Sequence, residues 1–265
     1  MKIGIVGCAG RMGRMLIQEV LATSGATLAG GTEPSGPAIG QDLGTLVGAA
    51  TLGVAVTSDA KALFGVSDAV IDFTVPAATK IHAELAAASG KALIVGTTGL
   101  NDDVRAAIAT AATKTVIIQS PNMSVGVNVL LALTEKLAAT LGPDYDIDIL
   151  EMHHRHKVDS PSGTALGLGE AAAKGRQVRL KDVARTTRDG IVGARPEGEI
   201  GFATLRGGDV VGDHTVIFAA NGERIEVTHK ASSREVFAKG AVRAALWAKG
   251  RAPGLYSMRD VLGLG

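Results

Sequence analysis

The sequence predicts an α/β protein with two domains, the first built on a parallel sheet. Short apolar runs alternate with Ala-rich helical segments through the first half of the chain, which is typical of repeated βαβ units. After Pro121 the pattern changes to a long amphipathic helix followed mainly by strand-like runs. Hydrophobic residues make up 46% of the chain but aromatic residues only 3%, so the cores should consist of packed Ala, Val, Ile and Leu.

In the first half, strand and helix patterns follow one another in regular order. The predicted strands are 2–6, 27–32, 69–73, 92–95 and 115–119, and the predicted helices are 11–22, 77–89 and 102–113. Pro76 stands where proline is favoured at a helix start, and Gly90 follows the same helix. Because crossovers between parallel strands are right-handed, these helices should cover both faces of the sheet. We therefore predict an N-terminal Rossmann domain over residues 1–124.

The second half predicts an α+β domain with a mixed, largely antiparallel sheet. Helices are expected at 126–141, 165–174 and 236–249, strands at 146–152, 201–206, 211–218 and 224–230, and a loop at 177–199. Asn221-Gly222 between two apolar runs is a strong hairpin signal. We expect residues 125–234 to form this second domain.

Composition and charge restrict the function classes. The net charge is +1, from 27 basic and 26 acidic residues, which argues against bulk electrostatic binding to nucleic acid or to a membrane surface. Cys8 is the only cysteine, so an internal disulfide and a Cys-rich zinc site are excluded, and a reducing compartment fits. The start of the chain is too short for a signal-peptide apolar region, and no run of 18 apolar residues occurs. We expect a cytoplasmic globular protein.

The clearest functional motif is the loop after the first strand, Gly7-Cys8-Ala9-Gly10-Arg11-Met12-Gly13. Small residues there let the backbone approach a pyrophosphate, and the helix that follows offers free N–H groups. Glu33 comes after the next strand, where a carboxylate can accept hydrogen bonds from the adenosine ribose. These features predict a nicotinamide dinucleotide site, the alternative being a Gly-rich turn without ligand. Because Glu33 would repel a 2′-phosphate and Pro34 offers no charge, NADH is favoured over NADPH. Cys8 is interpreted as a small apolar filler and not as a nucleophile.

Two further loops follow strands of the same predicted sheet. They are Gly96-Thr97-Thr98-Gly99 and Ser120-Pro121-Asn122-Met123-Ser124. Ligands of open parallel sheets bind at the carboxyl ends of the strands. Either loop alone could be an ordinary turn, but their position suits the nicotinamide side of the pocket.

The most unusual stretch runs from Glu151 to Leu166 and contains three of the six histidines, interleaved with Arg155 and Lys157. It ends at Ser160-Pro161-Ser162-Gly163-Thr164, a predicted helix start with free N–H groups. Three interpretations compete: a metal site, which the two fixed cations oppose; a solvated basic loop; and a site for a small polyanion with groups for proton transfer. The other histidines, His82, His214 and His229, have no comparable setting and are expected to be structural or on the surface.

Taken in order, five motifs resemble the 4-hydroxy-tetrahydrodipicolinate reductase family, also called dihydrodipicolinate reductase, of bacterial and plant lysine and diaminopimelate biosynthesis. They are the 7–13 loop, Asp72-Phe73-Thr74, the 96–99 loop, the run from Glu151 to Leu166, and Ser233-Arg234. The resemblance implies a homotetrameric oxidoreductase that reduces a cyclic dicarboxylate carrying a C=N bond to tetrahydrodipicolinate with NADH or NADPH. It also implies that residues 125–234 form the substrate-binding and tetramerisation domain and that the C-terminal helix within 235–265 joins the Rossmann domain.

The resemblance also implies roles for individual residues. His153 matches the proton donor or acceptor, Lys157 the proton donor, and His154, Gly163 and Thr164 the substrate-binding positions. The cofactor positions carry over to Gly7, Cys8, Ala9, Gly10, Arg11, Met12, Glu33, Gly96, Thr97, Thr98, Ser120, Pro121, Asn122 and Met123, and no metal is expected. Many family members have Arg where this chain has Pro34 and Val75, which again favours NADH. The role of Arg234 stays open.

Two alternatives to this function are a reductase of another small imino or keto acid, similar to aspartate dehydrogenases, and a non-catalytic dinucleotide sensor. The first would share the dinucleotide loop but would not need the His-rich run. The second would bind NAD(H) tightly without turnover, and the acid-capable residues His153 and Lys157 argue against it.

Overall fold

The computed structural model describes residues 1–264. The chain forms two compact units, the first comprising residues 1–125 with the C-terminal stretch from Arg234, and the second Gly126–Ser233. The helices and strands of the first unit are β1 (Lys2–Val6), α1 (Arg11–Ala22), β2 (Thr27–Thr32), α2 (Leu43–Leu46), α3 (Ala60–Val66), β3 (Ala69–Asp72), α4 (Pro76–Ser89), β4 (Ala92–Val95), α5 (Asp102–Ala112) and β5 (Val116–Gln119). Helix α6 (Val125–Leu141) begins at the end of this unit.

The second unit continues with β6 (Asp146–His153), α7 (Gly163–Gly175), α8 (Leu180–Val183), β7 (Ala184–Arg185), β8 (Ile200–Arg206), β9 (Gly212–Ala220) and β10 (Glu223–Ala231). The chain then adds α9 (Glu235–Trp247), β11 (Gly254–Tyr256) and α10 (Met258–Leu262) to the first unit.

The first unit is a parallel six-stranded sheet in the order β11-β5-β4-β3-β1-β2. Strand residues alternate between two cores: Ile3, Ile5 and Ile71 face the core shared with α1 and α9, whereas Val70 and Leu93 face the core shared with α4 and α5. Both faces are therefore covered by helices, as a parallel sheet requires. The strand order reverses between β1 and β3, and the loops after these two strands border the crevice in which such sheets bind ligands. The predicted Rossmann fold is confirmed.

The second unit has a five-stranded mixed sheet in the order β10-β9-β6-β8-β7. One face carries Ile147, Ile149, Phe202 and Phe218 into a core with α6 and α7. The hairpin at Asn221-Gly222 is confirmed, since β9 and β10 pair antiparallel around it. The mixed sheet is confirmed too, but only two of its four pairings are antiparallel, because β6 lies between β8 and β9 and runs parallel to β8.

Several short elements were not predicted from the sequence. Helices α2 and α3 each begin after an aspartate whose carboxylate accepts main-chain N–H groups, Asp42 and Asp59 respectively. The predicted loop at 177–199 contains α8 and the two-residue strand β7. Elements of two to seven residues lack enough periodicity to stand out from a loop. Among residues 1–264, no helix combines the length and apolar character needed to cross a bilayer.

Candidate active site

The loop between β1 and α1 depends on glycine at two positions. Gly7 has a φ of +68°, and a Cβ there would stand 2.8 Å from the Thr74 side chain. A Cβ on Gly13 would stand 2.2 Å from the carbonyl oxygen of Gly7, so α1 packs this closely against the loop only with glycine. Within residues 1–264 no side chain caps α1, whose first turn contains Arg11 and Met12. Its first N–H groups therefore face the space in front of the loop and fit a pyrophosphate.

Glu33 lies beside this loop. Its Oε1 accepts the N–H of Ala9 at 2.6 Å, while Arg14 donates from Nε to the carbonyl oxygen of Ala9 at 2.9 Å. This contact of Arg14, a residue of α1, was not predicted from the sequence, and it stabilises the loop. The cavity here is lined by Gly7, Gly10, Glu33, Pro34, Ser35 and His82, among others.

Cys8 is fully buried. Its side chain packs against Gly31, where an added Cβ would lie within 3 Å of the Cys8 side chain. Burial raises the pKa of its thiol to about 12. A thiol this weakly acidic is not a nucleophile at neutral pH. These observations agree with an apolar filler in the core beneath the loop.

Asp72, at the end of β3, is the centre of a buried network. Its Oδ1 accepts from the N–H and hydroxyl of Thr74 at 2.9 and 2.6 Å and from the hydroxyl of Thr97 at 3.0 Å. Its Oδ2 lies 2.8 Å from Nδ1 of His82. Burial pushes the pKa of Asp72 upward, but the contacts with His82 and Thr74 hold it below its usual value. The network ties the loops after β3 and β4 to α4.

Of the two other predicted loops of this unit, the 120–124 loop lines a second cavity, and the 96–99 loop packs against Phe73, which lines that cavity. Gly96 lies against Phe73, where a Cβ would stand 2.4 Å from the ring; Thr97 is buried and Thr98 exposed. In the 120–124 loop, Ser120 Oγ donates to the carbonyl oxygen of Asn122 at 2.8 Å. The cavity lining includes Arg11, Met12, Phe73, Pro121, Asn122, Met123 and Arg234. Two cavities therefore adjoin the dinucleotide loop, which suits a ligand with two halves.

In the second unit, β6 ends at His153, whose ring is almost buried. Nδ1 of His153 lies 2.5 Å from Oε2 of Glu151. The ring stands edge-on to His214, with 5.0 Å between the centroids. Burial lowers the pKa of His153, Lys157 and Arg206 lower it further, and Glu151 opposes them. This ring is therefore largely neutral at neutral pH.

Glu151 has no exposed side-chain surface and joins several elements. Arg206 of β8 binds both carboxylate oxygens, with Nη1 2.8 Å from Oε2 and Nη2 3.0 Å from Oε1. The main-chain N–H of Ser162 donates to Oε1 at 3.0 Å. Burial alone would raise the pKa of Glu151, but Arg206, His153 and the Ser162 N–H hold it below its usual value. The carboxylate is therefore ionised at neutral pH.

Helix α7 begins next to this cluster. Ser162 caps it, since its Oγ accepts the N–H of Ala165 at 3.1 Å, and the same Oγ lies 3.1 Å from Nε2 of His214. Gly163 is exposed and a Cβ there would meet nothing within 4 Å, so the space in front of the first turn is open. Thr164 is half-buried in the same turn. Burial lowers the pKa of His214 to about 4.

The cationic run after β6 is partly neutralised within itself. Nζ of Lys157 lies 2.7 and 2.9 Å from the two carboxylate oxygens of Asp159, and the pair lowers the pKa of Asp159. The N–H of His154 donates to the carbonyl oxygen of Val210 at 2.7 Å, which fastens the run to the chain before β9. Arg155 is exposed. Across residues 1–264, no group of three or more His, Cys, Asp or Glu side chains is arranged to hold a metal ion.

Some residues of this cluster were missed by sequence reasoning. His214, which was expected to be structural or on the surface, is buried, and its proximity to His153 was not foreseen. Glu151 could have been noticed, because residues 151 and 153 of a strand share one face. Arg206 could not, since it reaches Glu151 only through the parallel pairing of β6 with β8.

Comparison with known proteins identifies the family. The N-terminal family model of dihydrodipicolinate reductase matches residues 1–123, and the C-terminal model matches residues 126–262. The chain belongs to the dihydrodipicolinate reductase family. Relatives named 4-hydroxy-tetrahydrodipicolinate reductase from Methylocella silvestris and Dinoroseobacter shibae are each 55% identical, and the alignments cover 100% and 99% of this chain and 98% of each relative.

Solved structures show the same fold at lower identity. Dipicolinate-bound dihydrodipicolinate reductase from Paenisporosarcina sp. TG-14 has a TM-score of 0.79 and 22% identity over 98% of both chains. GenD2 from gentamicin A biosynthesis, in complex with NAD, has a TM-score of 0.59 and 15% identity, covering all of this chain and 90% of the other. The family membership identifies a pyridine-nucleotide-dependent oxidoreductase, as the sequence predicts.

Proposed function

We propose that this chain reduces 4-hydroxy-tetrahydrodipicolinate to tetrahydrodipicolinate in the diaminopimelate route to lysine, with the proton handled by His153 and Lys157. The observation that carries the assignment is the full-length match to relatives named for this reaction. The organisation of the His-rich run supports the residue roles: a buried His, a lysine and an open helix start lie close together in the second unit.

The first unit is proposed to bind the nucleotide. The uncapped start of α1 fits the pyrophosphate. The carboxylate of Glu33 would accept hydrogen bonds from the ribose hydroxyls, either together with its hydrogen bond from the Ala9 N–H or in place of it. Loops 96–98 and 120–123 would then contact the nicotinamide half. NADH is proposed as the preferred cofactor, because a carboxylate at Glu33 and an uncharged Pro34 disfavour a 2′-phosphate. When bound, the nucleotide supplies the hydride.

The second unit is proposed to bind the dicarboxylate. The first turn of α7, with the Gly163 and Thr164 N–H groups, offers one anion site, and His154 and Lys157 offer another. The 4-hydroxyl group leaves as water, and the ring of the resulting dihydrodipicolinate then takes up one hydride at carbon and one proton. Lys157 is proposed to donate the proton, and His153 to donate or accept one. Asp159 holds the Lys157 ammonium until the substrate carboxylate competes for it.

A homotetramer and a cytoplasmic location complete the proposal. The sheet face opposite the core of the second unit carries Leu150, Met152, Leu205 and Ile217, and Leu205 is 49% exposed. Apolar residues on an open sheet face favour self-association. The lone buried Cys8 fits a reducing compartment.

The alternatives make different predictions. A reductase of another imino or keto acid would oxidise NADH with that acid and not with the cyclic dicarboxylate. A dinucleotide sensor would bind NADH without turnover. The relatives from Methylocella silvestris and Dinoroseobacter shibae, both named for the reductase reaction, favour neither alternative.

The deciding assay couples the protein to a dihydrodipicolinate synthase reaction and follows nucleotide oxidation at 340 nm, a wavelength standard for reduced nicotinamides. We expect oxidation of both nucleotides, with a higher kcat/KM for NADH.

Lys157→Ala should lower kcat about 10²-fold or more, the range of a general acid. It should leave the Kd for NADH within about twofold, since the residue lies outside the nucleotide unit. Lys181→Ala, an exposed lysine of the second unit, is the matched control. If the protein oxidises neither NADH nor NADPH, the proposed function is overturned.

A further inference from the structure

The two oxygens of Glu151 contact different parts of the candidate site. Oε2 is shared by Nδ1 of His153 at 2.5 Å and Nη1 of Arg206 at 2.8 Å. Oε1 accepts the Ser162 N–H at 3.0 Å and Nη2 of Arg206 at 3.0 Å, with the Thr204 hydroxyl at 3.4 Å. One buried carboxylate thus joins a histidine at the end of β6 to the residue that caps α7.

The ionisation of Glu151 determines which nitrogen of His153 carries a proton. Arg206 binds the carboxylate through both oxygens and stays charged at all working pH values. An ionised carboxylate only accepts hydrogen bonds, so Nδ1 must be the donor. In the neutral ring the lone pair is then on Nε2, to which residues 1–264 give no hydrogen-bond partner. Nε2 is therefore the nitrogen that can exchange a proton with a ligand.

The same carboxylate connects the ring of His153 to the start of α7. The Ser162 N–H is the last one before the open turn of Gly163 and Thr164. Gly212 leaves the room that the ring needs, since a Cβ there would stand 2.9 Å from Nε2. Movement of Glu151 would therefore displace both the ring and the anion-binding turn.

We propose that Glu151 is a positioning residue that holds His153 in the Nδ1–H tautomer and ties its ring to Ser162, the residue that caps α7. The proposal rests on the proposed function for the role of His153 in proton transfer. In this proposal Glu151 connects the His153 ring, which transfers the proton, to the first turn of α7, which binds a carboxylate of the substrate. Glu151 itself does not contact the substrate.

The charged groups around His153 set the direction of the pH effect. They are Glu151 on the same strand, Lys157 on the following loop, paired with Asp159, Arg206 on β8, and His214 on β9. Lys157 and Arg206 lower the pKa of His153, and Glu151 is the neighbour that raises it. Replacing Glu151 with a neutral residue removes that contribution and leaves Arg206 without its carboxylate, and both changes lower the pKa of His153 further.

The first test reads the tautomer directly, in the full chain and without turnover. Protein with ¹⁵N-labelled histidine is examined by long-range ¹H–¹⁵N correlation, and the His153 signals are assigned by their loss in His153→Gln. We expect the wild type to show protonated Nδ1 and unprotonated Nε2. In Glu151→Gln we expect a mixture or the Nε2–H form, and a His153 pKa lower by about 1 to 3 units, the effect of an opposite charge at this range.

The second test reads catalysis as a function of pH. Glu151→Gln should lower kcat about 10² to 10⁴-fold, the contribution of a positioned acid–base group, and shift the His153 limb of the profile to lower pH. The Kd for NADH should stay within about twofold, because Glu151 lies outside the nucleotide unit. Glu151→Asp keeps the charge and should restore the position of the limb and at least about tenfold of the lost kcat.

Glu199→Gln is the matched control. It is the same substitution in the same unit, and Glu199 pairs with Arg188 at 3.4 Å without contacting a histidine. It should leave the His153 tautomer, its pKa and kcat unchanged. An Nε2–H tautomer in the wild type would overturn the proposal even if Glu151→Gln does not fold, and so would wild-type His153 signals in Glu151→Gln. If the wild type fails to oxidise nucleotide, the proposed function fails, whereas the tautomer measurement still decides the role of Glu151.

Discussion

Each unit of this chain contains a buried carboxylate that contacts a histidine. In the first unit, Oδ2 of Asp72 lies 2.8 Å from Nδ1 of His82, and in the second, Oε2 of Glu151 lies 2.5 Å from Nδ1 of His153. Both carboxylates have no exposed side-chain surface, and both histidine side chains are 10% exposed. By contact distance and burial alone, the two pairs are nearly equivalent.

The remaining partners of the two carboxylates differ. Glu151 is bound through both oxygens by Arg206, a permanent cation. Asp72 instead accepts hydrogen bonds from the hydroxyls of Thr74 and Thr97, which are neutral donors, and His82 is the side chain that lowers its pKa most strongly. A carboxylate with its own fixed cation stays ionised whether or not its histidine is protonated. The Glu151 pair therefore fits the proton transfer that we propose for His153, whereas the Asp72 pair suits a structural tie between loops.

The largest loss of stability is expected when Arg206, the cation that distinguishes the Glu151 pair from the Asp72 pair, is replaced. Arg206→Met leaves the buried carboxylate of Glu151 without its cation, and we expect the second unit to lose about 3 kcal/mol, the low end for breaking a buried ion pair, since Arg206 is partly exposed. The pKa of His153 should rise, because a positive neighbour that lowers it is gone. Hydrogen exchange of second-unit peptides across a urea series measures the loss, and the NMR titration measures the pKa.

Arg188→Met is the control for that prediction. Arg188 also pairs with two carboxylates, those of Asp148 and Glu199, but 35% of its side chain is exposed. We expect a loss of less than about 1 kcal/mol, as for surface pairs. Equal losses in the two variants would contradict the assignment of Arg206 as the group that keeps Glu151 ionised.

A smaller effect is expected in the first unit. Asp72→Asn keeps the shape but removes the charge, and it should cost about 2 kcal/mol near pH 7, the scale of a buried hydrogen-bond network that loses one partner. The pKa of Asp72 is lowered in the folded state, so its stabilisation is present above the unfolded-state pKa of about 4 and is lost as the pH falls through the folded-state value. The cost of the substitution should therefore shrink toward pH 3.

The sole tryptophan, Trp247, belongs to α9 of the first unit, so its fluorescence in urea reports that unit. Asp103→Asn, which breaks only the exposed pair with Lys80, should have a small effect at either pH. A cost of Asp72→Asn that does not change with pH would mean that Asp72 is not ionised, and the comparison with Glu151 would then rest on geometry alone.

The sequence predicts the backbone frame better than these networks. The strand at 27–32 and the helix at 11–22 agree with the structure at both ends, because their periodicity is strong and each is bounded by loop residues. The loop at residues 7–13 was predictable for a similar reason, since glycine spacing reports local backbone geometry. In contrast, the pairing of β6 with β8 joins residues far apart in sequence, and no local pattern encodes it.

The candidate site follows the same division. Nearby residues such as His153, Lys157 and Gly163 could be chosen together because one short run contains them. Arg206 and His214 come from β8 and β9, and their contacts with this run depend on strand order. The prediction that His214 is structural or on the surface rested on its isolation in the sequence, which says nothing about its neighbours in space.

The smallest effect separates the hydroxyl of Ser162 from its main-chain N–H. Ser162→Ala removes the cap of α7 and the contact with His214, and it should cost about 1 kcal/mol, as for a lost N-cap. The N–H that donates to Glu151 remains, so the tautomer and pKa of His153 should not change. Hydrogen exchange of α7 peptides and the NMR titration read these two consequences separately. Ser257→Ala, which removes the cap of α10 in the first unit, should destabilise its own helix comparably and leave His153 untouched. A shift of the His153 pKa in Ser162→Ala as large as that in Glu151→Gln would mean that the hydroxyl, and not the buried carboxylate, organises the ring, and the contrast with the Asp72 pair would then lie in the helix cap.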